Sequence, residues 1–129
     1  MYRLRILVVE DLHDSADSMA LLLDIWGCTP TVAYGGEKAI EIAPTLCPDV
    51  VILDLELPDI SGFEVARQLR ESPTTASSLL VAITGHGQAA VVQRCKDAGI
   101  DLHFLKPVDP EEIKKVLESR SQYLLACTG

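Results

Sequence analysis

The sequence contains no C-x-x-C pair, no cysteine–histidine cluster at zinc-ligand spacing and no long apolar run. Its four cysteines, Cys28, Cys47, Cys95 and Cys127, stand far apart, so reduced and mostly buried thiols are expected instead of a disulfide framework or a zinc site. No segment approaches the roughly 18 consecutive apolar residues of a membrane span. The opening Met1-Tyr2-Arg3-Leu4-Arg5 leads into Ile6-Leu7-Val8-Val9, too short for a signal-peptide core and without a small-residue cleavage site. A cytoplasmic location is the expectation. Positive charge is scarce as well: nineteen acids against eleven lysines and arginines give a formal charge of -8. That balance repels phosphate backbones and anionic lipid, so neither nucleic acid nor membrane is expected as a direct partner.

What is present suits one globular core. Hydrophobic residues make up 48% and charged residues 23% of 129, a composition foreign to disordered or collagen-like chains. There is no internal repeat and no linker, so a single domain over residues 1–129 is expected. Continuous apolar runs at Ile6–Val9, Val50–Leu53 and Leu79–Ile83 predict central parallel strands covered on both faces. Thr29–Tyr34 is more polar and carries Pro30, which removes a ladder donor and fits an edge, and Leu102–Leu105 is a shorter candidate for the other edge.

Helical spacing falls between these runs. Ala16, Met19, Ala20 and Leu23 mark a first helix that Gly27 is placed to end, and Ala39, Ile40, Ala43 and Leu46 mark a second. A third is predicted over about Gly62–Arg70 and a fourth between Gly87 and Ala98, stopped by Gly99. The fifth starts at Asp109-Pro110 with a capping-box-like Glu112 and is predicted to run to about Tyr123. Five strands alternating with five helices make a doubly wound α/β domain with right-handed crossovers.

In such sheets ligands bind beyond the carboxyl ends of the strands, where strand order reverses. Glu10-Asp11 follows the first strand, Asp54 the third, Thr84-Gly85 the fourth and Lys106-Pro107 the fifth. Three carboxylates gathered in one pocket repel, so at least one is expected to have a raised pKa, and a divalent cation relieves the repulsion. Oxygen ligands suit Mg2+. Lys106 adds a movable positive charge and Thr84 a hydroxyl donor, a set suited to phosphoryl transfer.

Val8-Val9-Glu10-Asp11, Asp54-Leu55-Glu56-Leu57-Pro58-Asp59-Ile60-Ser61-Gly62, Thr84-Gly85 and Lys106-Pro107 resemble, in order and over nearly the whole chain, the signature of response regulator receiver domains. The resemblance implies a flavodoxin-like (βα)5 sheet of order 2-1-3-4-5. It implies Asp54 as phosphoacceptor, and Mg2+ bound by Asp11, by Asp54, by Glu10 through water and by the backbone carbonyl of Glu56. Thr84 and Lys106 would contact the phosphoryl group, and the Lys106–Pro107 bond would be cis. A histidine kinase or histidine phosphotransfer domain would be the donor and an unidentified protein the target, the domain being a monomer or a phosphorylation-dependent dimer. Autodephosphorylation would follow, its rate tuned at Glu56 and His86. The segments Asp14-Ser15-Ala16-Asp17-Ser18 and Ala82-Ile83-Thr84-Gly85-His86-Gly87 are similar in style to receivers of hybrid histidine kinases.

Two positions depart from the family pattern. His103 occupies the switch position, where Tyr or Phe is frequent, and Glu10 stands where Asp is common. Outside these motifs, His13 is expected in an exposed loop, Asp14 and Asp17 to cap or decorate the first helix, and Met19 and Trp26 to pack. Two other functions compete. A haloacid-dehalogenase-like phosphatase also uses an aspartyl phosphate, but Glu56 only partly fits its D-x-D-x-T/V pattern and no cap domain is visible. A flavodoxin-like FMN-binding module would need a Ser/Thr/Gly-rich phosphate loop after the first strand, which is missing.

Overall fold

A computed structural model describes residues 2–128; Met1 and Gly129, the ends of the expected domain, lie outside the described residues. Five strands, β1 (Arg5–Val9), β2 (Thr29–Ala33), β3 (Val50–Asp54), β4 (Leu79–Thr84) and β5 (Leu102–Leu105), form one parallel sheet of order β2-β1-β3-β4-β5. The chain steps outward to β2, returns past β1 to β3, and so reverses direction between β1 and β3.

Strand side chains alternate, and the alternation sorts the core into two layers. Leu7, Val9, Val51, Leu53, Leu80 and Ala82 face one layer, where they meet Ala39 and Ala43 of α2 (Gly36–Leu46), Val65, Ala66 and Leu69 of α3 (Gly62–Glu71), and Cys95 of α4 (Ala89–Asp97). Ile6, Val8, Val50, Ile52 and Val81 face the other, against Leu23 of α1 (His13–Ile25) and Ile113 and Leu117 of α5 (Pro110–Thr128). Each fully buried aliphatic side chain contributes about 1.5–3 kcal/mol. The continuous apolar runs are thus strands with both faces covered.

Local chemistry ends most elements where the sequence places the ends. Gly27 and Gly99 adopt φ of +87° and +83° just past α1 and α4, where a side chain would be strained. The Asp109 carboxylate accepts the Glu111 N–H at 2.9 Å at the start of α5. Pro30 lies on edge strand β2, opposite Ile6. Three expectations need correction. Helix α5 continues past Tyr123 to Thr128, because Ser121-Gln122-Tyr123-Leu124-Leu125 contains no Gly or Pro and Leu124 still packs on the core. His13 is the first residue of α1, not a loop residue, and its ring stacks on Tyr34 at 3.8 Å. All four thiols are free, yet only Cys28 and Cys95 are buried; Cys47 is half-buried and Cys127 exposed.

The amino ends of the strands are tied by polar side chains. The Arg70 guanidinium, at the end of α3, donates to the carbonyls of Gly99 (2.9 Å), Ala76 (2.9 Å) and Ser78 (2.6 Å) and to the Asp101 carboxylate (2.7 Å). Asp101 accepts the Leu80 N–H at 2.9 Å, and Asp49 accepts the Arg5 N–H at 2.8 Å. The loops at the carboxyl ends carry the acids.

Candidate functional site: an acidic cluster at the carboxyl ends of the strands

Asp54 is the last residue of β3 and is only 3% exposed. The flanking central strands β1 and β4 enclose it, and the next turn brings the Glu56 N–H to its Oδ1 at 2.8 Å. Its other oxygen, Oδ2, accepts from Lys106 Nζ at 2.8 Å. Lys106 reaches inward from just beyond β5, where its peptide bond to Pro107 is cis. Glu10 and Asp11 leave the end of β1, and one carboxylate oxygen from each lies within 4.8 Å of the others and of Asp54. A cleft of about 320 Å³ opens beside this group, with Glu10, Asp54 and Lys106 in its wall and Met19 and Val108 supplying apolar surface.

The electrostatics divide the acids. Burial pushes the Glu10 carboxyl up to about 7, and the hydrogen bond and charge of Asp54 add to the rise. Burial pushes Asp54 up too, but hydrogen bonds from Glu10, Lys106 and Glu56 outweigh it and bring the group to about 2. Near neutral pH the pair therefore holds a proton about half of the time, and that proton is on Glu10. Burial lowers the Lys106 pKa, yet its hydrogen bond to Asp54 and the charges of Asp54, Glu56 and Glu10 raise it on balance. The expected raised carboxyl is present; burial is its main cause, and the neighbouring Asp54 adds a repulsion that a cation would relieve. The donors are all oxygens, and among the described residues the cluster includes no thiolate or imidazole, so they fit a hard divalent ion.

Thr84, at the end of β4 and 1% exposed, is close to this group but bonded elsewhere. Its hydroxyl donates to Glu56 Oε1 at 3.0 Å, which also accepts the Gly85 N–H at 2.9 Å. Glu56 Oε2 lies 3.7 Å from Lys106 Nζ, and His86 Nε2 lies 3.6 Å from Oε1. The fold thus brings Glu10, Asp11, Asp54, Glu56, Thr84 and Lys106 together. His103 stands apart: it is exposed on β5, in register with Ala82.

A family model described as the response regulator receiver domain matches residues 6–118, which include every one of these positions. The chain belongs to the response regulator receiver domain family. Receiver domains are signalling modules of two-component systems, and neither the phosphatase nor the flavin reading finds support beside this match. The chain is 30% identical to an uncharacterized 14.6 kDa protein in the sodA1 3' region of Leptolyngbya boryana, over 94% of this chain and 90% of that one. It is 34% identical to the DNA-binding dual master transcriptional regulator RpaA of Synechocystis, over 84% of this chain but 45% of the relative, so it spans less than half of that longer protein. The signal receiver domain of a DNA-binding response regulator from Colwellia psychrerythraea superposes with a TM-score of 0.83 at 28% identity, covering 90% of this chain and 96% of that one.

Two contacts were not legible in the sequence of this receiver. The Glu56 side chain gathers Thr84, Gly85 and Lys106, whereas the motif drew notice only to its backbone carbonyl and to tuning of hydrolysis. Asp59 crosses to the start of α2 and accepts the N–H groups of Gly36 (3.1 Å) and Glu37 (2.9 Å). Acid followed by Ile-Ser-Gly is a local signal for a turn; the helix it caps lies over twenty residues earlier.

Proposed function

We propose that this receiver accepts a phosphoryl group onto Asp54 from a phosphohistidine of a histidine kinase or histidine phosphotransfer domain. The observation that carries the reading is the buried Asp54 carboxylate, ionised with its pKa near 2 and paired with Lys106 Nζ at 2.8 Å beside Glu10 and Asp11. An Asp54 oxygen would attack phosphorus as the P–N bond breaks, its electron pair leaving with the donor imidazole, which takes up a proton. Lys106 would release Asp54 Oδ2 and follow the charge onto a phosphoryl oxygen.

Glu10, Asp11, Asp54 and the Glu56 carbonyl are the residues that would hold Mg2+. The ion would supply charge neutralisation for the phosphoryl oxygens and for the crowded acids. Thr84 would then turn its hydroxyl toward the phosphoryl group, and His103 would report that movement at the surface. Water would later hydrolyse the acyl phosphate, returning Asp54 to its carboxylate. The target is a protein read at that surface, with the receiver a monomer or a phosphorylation-dependent dimer. A cytoplasmic location is part of this proposal. Among the described residues no helix is long and apolar enough to cross a membrane.

The test is Mg2+ with beryllofluoride or acetyl phosphate. The wild type should show amide shifts around Thr84 and His103, and Asp54→Asn should show none. An unchanged response in Asp54→Asn would remove Asp54 from the reaction.

A further inference from the structure

The side chain of Glu56 has no task in the transfer described above, which uses only its carbonyl. Yet its carboxylate takes the Thr84 hydroxyl (3.0 Å) and the Gly85 N–H (2.9 Å) and lies 3.7 Å from Lys106 Nζ. A hydroxyl and a backbone N–H donating to one carboxylate oxygen, with an ammonium beside the other, are the groups that a phosphoryl group would seek. A hydroxyl has one proton to give, and that of Thr84, buried at 1% exposure, is committed to Glu56.

We propose that Glu56 is a positioning residue whose carboxylate stands in for the phosphoryl group in the unphosphorylated receiver. It holds Thr84, Gly85 and Lys106 until a phosphoryl group at Asp54 displaces it. The inference rests on Asp54 as acceptor. Two forces drive the displacement: the arriving anion competes for the same donors, and it repels the carboxylate at short range. The Glu56 side chain, 37% exposed, has a path outward to water. Glu56 therefore sets a threshold, making the occupied state harder to reach than the Asp54–Lys106 pair alone would.

The experiment is a beryllofluoride titration of the full chain followed by 19F NMR, each variant at its own saturating Mg2+ concentration. Glu56→Ala should bind about tenfold tighter, the scale of a lost competing hydrogen bond to a charged group, and Glu56→Gln less so because it keeps an acceptor oxygen. In a Thr84→Ala background the gain from Glu56→Ala should fall by half or more. A merely structural Glu56 would give the opposite sign, since Lys106 and Thr84 would lose support. Equal or weaker binding by Glu56→Ala, with binding lost in Asp54→Asn, overturns the stand-in role alone. Binding retained by Asp54→Asn overturns the acceptor reading and this inference with it.

Discussion

Mg2+ affinity should depend on pH through Glu10. In the metal-free domain this carboxyl sits at about 7, raised first by burial and then by Asp54, whereas Asp54 at about 2 is ionised throughout the neutral range. A cation at the cluster needs the Glu10 proton gone, so binding and deprotonation are linked. One unit below its pKa Glu10 is about nine-tenths protonated, and one unit above about one-tenth, which makes the apparent Mg2+ dissociation constant about tenfold larger at pH 6 than at pH 8. Titrating Mg2+ at fixed ionic strength and following amide shifts near Asp54 gives the constants directly. Glu10→Gln should bind more weakly at pH 8 and lose the slope between pH 6 and 8. A flat profile in the wild type would refute the shared-proton account. The same proton affects folding: Glu10 has a folded pKa above its unfolded value, so its contribution to stability is present below about pH 4.5 and lost as pH rises through about 7. Asp54 has the opposite sign, its contribution being lost as pH falls through about 2.

Two further variants probe how the fold presents the site. Asp59→Ala removes the acceptor for the first N–H groups of α2 and should cost about 1 kcal/mol, seen as a lower urea midpoint at unchanged slope. Because the Glu37 and Gly36 N–H groups hold the Asp59 carboxyl below its usual range, the difference from wild type should persist at neutral pH and vanish only as acid protonates Asp59; a constant difference down to that point and beyond would rule out capping. Gly62→Ala would place a Cβ 2.7 Å from the Leu55 Cα and 3.0 Å from the Asp54 carbonyl oxygen. Overpacking of this kind should cost about 1–3 kcal/mol and weaken beryllofluoride binding by shifting Asp54, and a variant as stable as wild type would mean that the backbone yields freely there.

The sheet was legible because its central strands had no choice of face. Ile6-Leu7-Val8-Val9 and Val50-Val51-Ile52-Leu53 are apolar at every position, and only a strand sandwiched between helices buries both sides. The acids were legible for a related reason: each comes directly after such a run, so strand direction alone carries them to one end of the sheet. Contacts across loops were not. Asp59 serves α2, Arg70 serves the approaches to β4 and β5, and Glu56 serves Thr84; each partner is set by tertiary position, with no spacing rule to reveal it. His13 was misplaced because Glu10-Asp11-Leu12-His13 contains no side-chain cap to mark where α1 begins; its N-cap is Leu12. The end of α5 was misjudged for want of a stop residue.

The clamp around Arg70 gives the two ends of the sheet different mechanical characters. At the amino ends, one guanidinium binds three carbonyls and a carboxylate from the segments that lead into β4 and β5, so those strands enter the sheet at fixed points. At the carboxyl ends, the same strands run out into Thr84-Gly85-His86-Gly87 and Lys106-Pro107, held together through the Glu56 carboxylate. β4 and β5 thus resemble levers pinned at one end and latched at the other. A phosphoryl group at Asp54, as proposed above, would do its work where the latch is, and the pinned end would serve as the fulcrum.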